Sequence, residues 1–308
     1  MQKINDEDIA DKVSGLVLSY FKSPSTSLGD KNLKLFRNNK PKENKDEFTV
    51  LAGIVSITPV SSAQATNGIE PSNYPSKKRK VYPKIGPFEY TVLTISTGLK
   101  TIPVSRIEKQ SRGRLIHDQH AEILSVRLFN YWLLKEIDNL KNASGYESKL
   151  IEEKSPGRYG LCNTETKFAL YVSEIPCGDA SISNVRSKSL SDAVWSYEEK
   201  ENEVLRGRDN FSVTGKVRTK PGRRDSPLSL SKSCSDKLTI LQFKGLLSSV
   251  TFNLIGDAYR NGFYLDYLNP SLYYLHIIHL ILTVITAWAE GKPHKHPSFV
   301  LQVLGLFK

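Results

Sequence analysis

Five side chains in this sequence have the chemistry to hold a metal ion and move protons. They are the imidazole of His120, the carboxyl of Glu122 two residues on, and the thiols of Cys162, Cys177 and Cys234. His120 and Glu122 stand in the run His117-Asp118-Gln119-His120-Ala121-Glu122, and Cys177 follows Pro176 in Pro176-Cys177-Gly178-Asp179-Ala180. One neutral imidazole and two thiolates balance the charge of Zn2+. Three protein ligands leave a fourth position open to water, the mark of a catalytic zinc rather than a closed structural one. Water on such an ion gives up a proton near neutral pH. Glu122 is not needed as a ligand and can carry that proton. Alone, His-Ala-Glu carries little weight, because a core or surface histidine is far commoner than a metal ligand. It gains weight from Pro176-Cys177 at a strand-to-helix junction, where a helix start favours a thiolate.

The known H-x-E … P-C-x-x-C arrangement would place a second thiolate three residues after Cys177, but that residue is Ala180. The third ligand therefore comes from elsewhere. Cys162 lies in a polar stretch ahead of a strand. Cys234 lies in Ser233-Cys234-Ser235-Asp236-Lys237 inside a predicted helix and is the better candidate; taken by itself it reads as a small buried thiol.

The elements that must position these groups are read from periodicity. Ile9, Val13, Leu16, Val17 and Tyr20 have helical spacing. Residues 48–58 and 89–96 read as strands, and 59–87 as a polar insertion rich in Pro, Ser and Asn. A helix is expected from Asp118 to about Ile137, with Ile123, Leu124, Arg127, Leu128, Tyr131, Trp132 and Leu134 in its amphipathic pattern. Residues 139–163 read as a polar surface excursion, 167–174 as a third strand, and Pro176 as the opening of a turn and helix. Residues 228–241 read as helical. Alternating strands and helices define an α/β architecture around a mainly buried sheet.

Composition narrows the partners. The 308 residues carry 43 Lys and Arg against 32 Asp and Glu, a formal charge of +11, with 39% hydrophobic residues. That excludes a disordered or multi-spanning chain and favours a polyanionic partner. Three cysteines exclude a disulfide framework and suit a reducing compartment. No signal peptide is expected at the start, and the run Ser76 to Val81 (SKKRKV) is a candidate nuclear import address, consistent with nucleus, cytoplasm or both. The apolar run from Leu272 to Ala289 reads as buried core rather than a membrane span, so membrane association is not expected.

The three cysteine- and histidine-bearing boxes, in this order, resemble the zinc boxes of the adenosine-to-inosine editases, and Arg218-Thr219-Lys220-Pro221-Gly222-Arg223-Arg224 is similar to the branch acting on tRNA at position 37. The resemblance runs from about Ile4 to Leu265, and residues 1–268 are expected to form the deaminase domain. It implies a cytidine-deaminase-like three-layer α/β/α fold with a central mixed sheet. It also implies hydrolytic deamination of adenosine, with His120, Cys177 and Cys234 on zinc and Glu122 as proton shuttle between water, the ring nitrogen and the leaving amine. Lys216, Arg218, Arg223 and Arg224 are expected to grip RNA phosphates, giving salt-dependent binding. No obligate protein partner is evident. Two other readings are an inactive RNA-binding relative and a deaminase of free nucleosides or cytidine; the +11 charge and the remote Cys234 argue against the latter.

Relatives in this family enclose inositol hexakisphosphate. By motif position Arg127 and Lys237 resemble its direct ligands, and Asp118, Lys220 and Ser231 resemble members of a polar relay to the zinc. Lys220 is thus expected either inside the protein or on RNA. Residues 269–308 do not resemble the family's carboxyl region, which supplies further cations. The expectation is an altered or truncated end that neutralises such a polyanion poorly.

Overall fold

The computed structural model describes residues 6–22, 49–60, 87–107, 109, 112–182, 205–207, 215–221, 226–258 and 260–265. The basic run 76–81, Arg223, Arg224 and the apolar run 272–289 lie outside them. The described residues fall into two compact units. One lies within 1–100, 118–174 and 240–268, the other within 101–117 and 175–239.

The first unit is built on an antiparallel sheet. Strand β1 (Leu51–Pro59) is flanked by β2 (Phe88–Thr97) and, after the intervening elements, by β7 (Lys167–Val172), in the order β2-β1-β7. Residues 51–57 of β1 are all buried, as a central strand covered on both faces must be. Alternation sends Leu51, Val55 and Ile57 to one face, where they cluster with Val13 and Val17 of helix α1 (Asp6–Lys22), Val92 and Ala169. On the other face lies helix α2 (Ala121–Asn142), tied to β2 by the Thr94 Oγ1 to Ser125 Oγ bond of 2.6 Å and packed on β7 through the Phe129–Phe168 edge contact at 5.1 Å. Phe263 stacks on Phe168 at 5.7 Å and completes this aromatic core. All named strand pairs of the sheet are antiparallel. A single isolated parallel bridge joins Phe168 to Leu265 beside this antiparallel sheet.

Three readings change in detail. Residues 118–120 are not helix but a short strand, β4 (Asp118–His120), paired with β3 (Leu99–Thr101). Helix α2 begins at Ala121 and runs to Asn142. Its buried face differs in part from the expected one: Ile123 is buried as expected, Ala121, Ser125, Phe129, Leu133 and Ile137 face inward at intervals of four, and Arg127 and Tyr131 are exposed. Ser125 and Asn130 hide this face from a hydrophobicity count, because their polar groups are satisfied inside. Asn130 is a hub: its Nδ2 donates to the carbonyls of Val126 and Leu246, each at 2.9 Å, and its Oδ1 accepts from Ser248 N–H and the Thr251 hydroxyl, each at 2.6 Å.

The stretch 139–163 is not only a surface excursion. It contains the hairpin β5 (Ile151–Ser155) and β6 (Arg158–Leu161), which buries Ile151, Tyr159 and Leu161. After Pro176 the chain turns, as expected, into a 3-10 turn at Asp179–Ser181 that passes into α-helix at Ile182, where the described segment ends. Residues 228–233 are extended, and helix α3 (Cys234–Lys244) starts on the cysteine itself, followed by α4 (Ser249–Ile255), which is capped by a Ser248–Thr251 box. Cys234–Ile255 is apolar and long enough to cross a membrane by composition alone, but the two helices within it are separated at residues 245–248.

The second unit carries a short parallel pair, β8 (Leu205–Arg206) and β9 (Arg218–Thr219). On its other edge β9 meets an extended strand antiparallel through the Thr219–Lys232 bridge, with Lys220 N–H on the Ser231 carbonyl at 2.7 Å and Ser233 N–H on the Arg218 carbonyl at 2.7 Å. Arg218 and Lys220 share one side of this strand and are turned inward, while Lys216, which precedes β9, is exposed.

Candidate metal centre

His120 is the last residue before α2, in extended backbone at φ −68° and ψ 138°. Its approach is set by hydrogen bonds around the helix start. The His120 N–H donates to Asp118 Oδ1 at 3.1 Å, the Ala121 N–H to the Gly98 carbonyl at 2.9 Å, and Ser96 Oγ to the Ala121 carbonyl at 2.7 Å. Gly98 is required here. It sits at φ +151°, and a Cβ on it would lie 2.1 Å from the Gln119 carbonyl oxygen. Asp118, expected as a relay residue, is thus buried at 2% exposure with one oxygen committed to orienting the histidine backbone.

Cys177 and Cys234 are brought together by two interlocked turns. Cys234 N–H points at Cys177 Sγ at 3.4 Å, and Ser235 donates both its N–H (2.9 Å) and its Oγ (3.0 Å) to the Cys177 carbonyl. Gly178, at φ +103°, lets the turns touch: a Cβ there would meet Ser233 Oγ at 2.3 Å. The backbone N–H at the start of α3 points at the Cys177 sulfur and is a donor that favours a thiolate there. Cys234 is fully buried, and the ammonium of Lys220, 2% exposed, lies 2.9 Å from its sulfur and offers a counter-charge to a thiolate.

His120, Cys177 and Cys234 each present one ligand atom, and the three atoms lie within 4.8 Å of one another. Two thiolates and an imidazole at this spacing form a three-ligand set that suits zinc with one open position. Cys162, the other thiol, is exposed, with Sγ 3.6 Å from the Ser148 carbonyl; burial and the Glu152 charge push it up. Glu122 supports the fit. It is 2% exposed, and its Oε2 has no hydrogen-bond partner among the described residues. A buried carboxyl oxygen without a partner is costly unless something polar occupies the space before it, as a bound water would.

The residues expected at the polyanion and its relay lie as follows. Arg127 is exposed on α2, Lys220 is directed to Cys234, and Lys237 donates to Ser231 Oγ at 2.6 Å. Of the four expected RNA contacts, Lys216 is exposed, and Arg223 and Arg224 lie outside the described residues. Arg218 is inside, 1% exposed, with Nε 3.0 Å from Asp179 Oδ1. The signal for that burial was present as strand alternation, Arg218 and Lys220 against Val217 and Thr219, but the two cations read more simply as surface charge.

This combination of an α/β fold and a His-Cys-Cys cluster has a counterpart among known families. Residues 94–260, just over half of the chain, match the adenosine-deaminase (editase) domain, and the chain belongs to that family. It is 40% identical over 163 residues to the tRNA-specific adenosine deaminase 1 of Schizosaccharomyces pombe, covering 53% of this chain and 42% of that protein. It is 36% identical over 217 residues to the protein of the same name from Saccharomyces cerevisiae, covering 68% and 48%. The double-stranded RNA-specific editase Adar of Drosophila melanogaster is 26% identical over 200 residues, covering 60% and 28%. The chain thus spans under half the length of these relatives.

Proposed function

We propose that this chain is a zinc-dependent hydrolase that deaminates adenosine to inosine in tRNA, at position 37 beside the anticodon, on a three-layer cytidine-deaminase-like domain spanning residues 1–268. The observation that carries the reading is the approach of His120, Cys177 and Cys234 within 4.8 Å, two residues from a buried carboxyl whose Oε2 has no hydrogen-bond partner among the described residues. The tRNA substrate is supported by the relatives named for it.

Zinc bound by these three residues would supply a water of lowered pKa and Lewis acidity toward the substrate. The protein's own groups do the rest. Lys220 compensates thiolate charge at Cys234. Asp118 and Gly98 hold the backbone that presents His120. Glu122 Oε2 takes the proton from the attacking water, passes a proton to N1 of the adenine ring, and assists departure of the amine as ammonia. An adenosine in a loop leaves its stack more cheaply than one in a duplex, which suits a base next to the anticodon. Lys216 is exposed on the arm of residues 216–224, and with Arg223 and Arg224 it is the proposed contact to RNA phosphates. The run 76–81 is proposed as an import address, placing the protein in the nucleus as well as the cytoplasm.

The test is metal analysis together with inosine mapping by sequencing after incubation of tRNA with the purified chain. Zinc near one per chain with inosine at position 37 is the expected result. RNA binding without inosine, or turnover of free adenosine or cytidine instead of tRNA, refutes the proposal.

A further inference from the structure

Arg218 heads the fully buried side chains of the described residues in size, yet it belongs to a segment whose charge suggests a surface arm. It is held by internal contacts. Its Nε donates to Asp179 Oδ1 at 3.0 Å and its Nη1 to the Gly207 carbonyl at 3.4 Å. Its backbone N–H donates to Asp236 Oδ2 at 3.1 Å, and its carbonyl accepts from Ser233 N–H at 2.7 Å. Asp179 stands two residues after Cys177. Asp236 stands two residues after Cys234, and Ser233 one before it. One residue therefore grips both thiol-bearing turns, each within two positions of the sulfur.

The other ends of these bonds are also fixed. Asp179 Oδ2 accepts from Gly215 N–H at 2.6 Å, and Asp236 Oδ2 accepts from Ser233 Oγ at 2.6 Å. Ala180 N–H reaches Ser235 Oγ at 3.1 Å, so the two turns are laced together beside the arginine as well. Take the guanidinium away, and Asp179 loses its cation in a site that must also hold two thiolates. A part-buried carboxylate without its partner is unfavourable, and its relief is movement of the 179–181 turn that carries Cys177 at its head. A guanidinium suits this place because its planar fork serves a carboxylate and a carbonyl at once, which an ammonium cannot reproduce.

We propose that Arg218 is a positioning residue for the metal site, setting the separation of the Cys177 and Cys234 sulfurs, rather than a contact to RNA. This rests on the zinc reading given above. Groups that hold metal ligands in place change metal affinity by about 10- to 100-fold when removed.

The experiment compares full-length wild type with Arg218→Met, Arg218→Lys and Asp179→Asn. Zinc release to a colorimetric chelator is timed, and the thiolate-to-metal absorption of the cobalt-substituted proteins is recorded. Leu133→Ala, a core truncation in the other unit, serves as a destabilised control. Expected are zinc release from Arg218→Met faster by about 10- to 100-fold, with a shifted cobalt spectrum. Arg218→Lys and Asp179→Asn should fall between it and wild type, and Leu133→Ala should lower Tm with release rate and spectrum unchanged. If Arg218→Met does not fold, the other two variants carry the comparison. Wild-type release and spectrum in the variants overturn the proposal, all the more if tRNA affinity falls in their place. A wild-type chain that takes up neither zinc nor cobalt overturns the underlying metal reading itself.

Discussion

Replacing Glu122 by Gln separates a catalytic role from a structural one, because the two predict opposite effects on stability. The side chain is 2% exposed and its Oε2 has no hydrogen-bond partner among the described residues. Gln keeps the shape, so no cavity forms. A buried polar atom without a partner costs about 1–3 kcal/mol, more when charged, so a neutral amide relieves part of that cost. Stability should hold or rise, and each kcal/mol gained corresponds to about 2–4 °C in Tm. Proton transfer by a positioned side chain is worth about 10²–10⁴ in rate, so inosine formation should fall by that factor, or about 3–5 kcal/mol of transition-state stabilisation. Zinc content should be unchanged, since Glu122 is not among the three ligand residues. The assays are thermal unfolding, metal analysis, and single-turnover conversion of adenosine in tRNA. The reasoning is refuted if Glu122→Gln keeps nearly full turnover, or if Tm and zinc fall together with activity.

Other outcomes follow from particular contacts. Asn130→Leu removes four side-chain hydrogen bonds and strands the Leu246 carbonyl, so unfolding stability measured in denaturant should drop by about 2–4 kcal/mol; a change under 1 kcal/mol would show the hub to be dispensable. Alkylation of Cys162 should accelerate with pH to an inflection above the ordinary thiol value of about 8.5, because burial and then the Glu152 charge disfavour its thiolate. Mass spectrometry of peptide modification across pH checks this, and an inflection at or below that value counts against it. The purified chain should carry no stoichiometric inositol hexakisphosphate, given the exposed Arg127 and the internal bonds of Lys220 and Lys237; native mass spectrometry finding one per chain would reverse that expectation.

Much of the fold was legible because its signals are local. The β-branched run of β1 and the apolar spacing of α1 identify themselves by period, and the strands of the central sheet appear within a few residues of their expected ends. The helix after His120 was legible in existence but only partly in phase, because Ser125 and Asn130 belong to its buried side and only their partners Thr94, Leu246 and Thr251 make that affordable. The hairpin at 151–161 was missed for a related reason: its five-residue first strand carries charges at three consecutive positions, Glu152 to Lys154, and the burial of Tyr159 and Leu161 depends on neighbours distant in the chain.

The same division runs through the site. Residue types and order alone identified a histidine, a carboxyl and cysteines suited to a hydrolytic zinc, because ligand chemistry is a property of the side chain and not of its surroundings. Which cysteine joins His120 and Cys177 was decided by tertiary structure, which buries Cys234 against Lys220 and leaves Cys162 at the surface. Charge was the least readable quantity. A cation in a basic segment looks the same in sequence whether it faces solvent or an internal carboxylate, and only the pairing of β9 with its neighbours turned Arg218 toward Asp179.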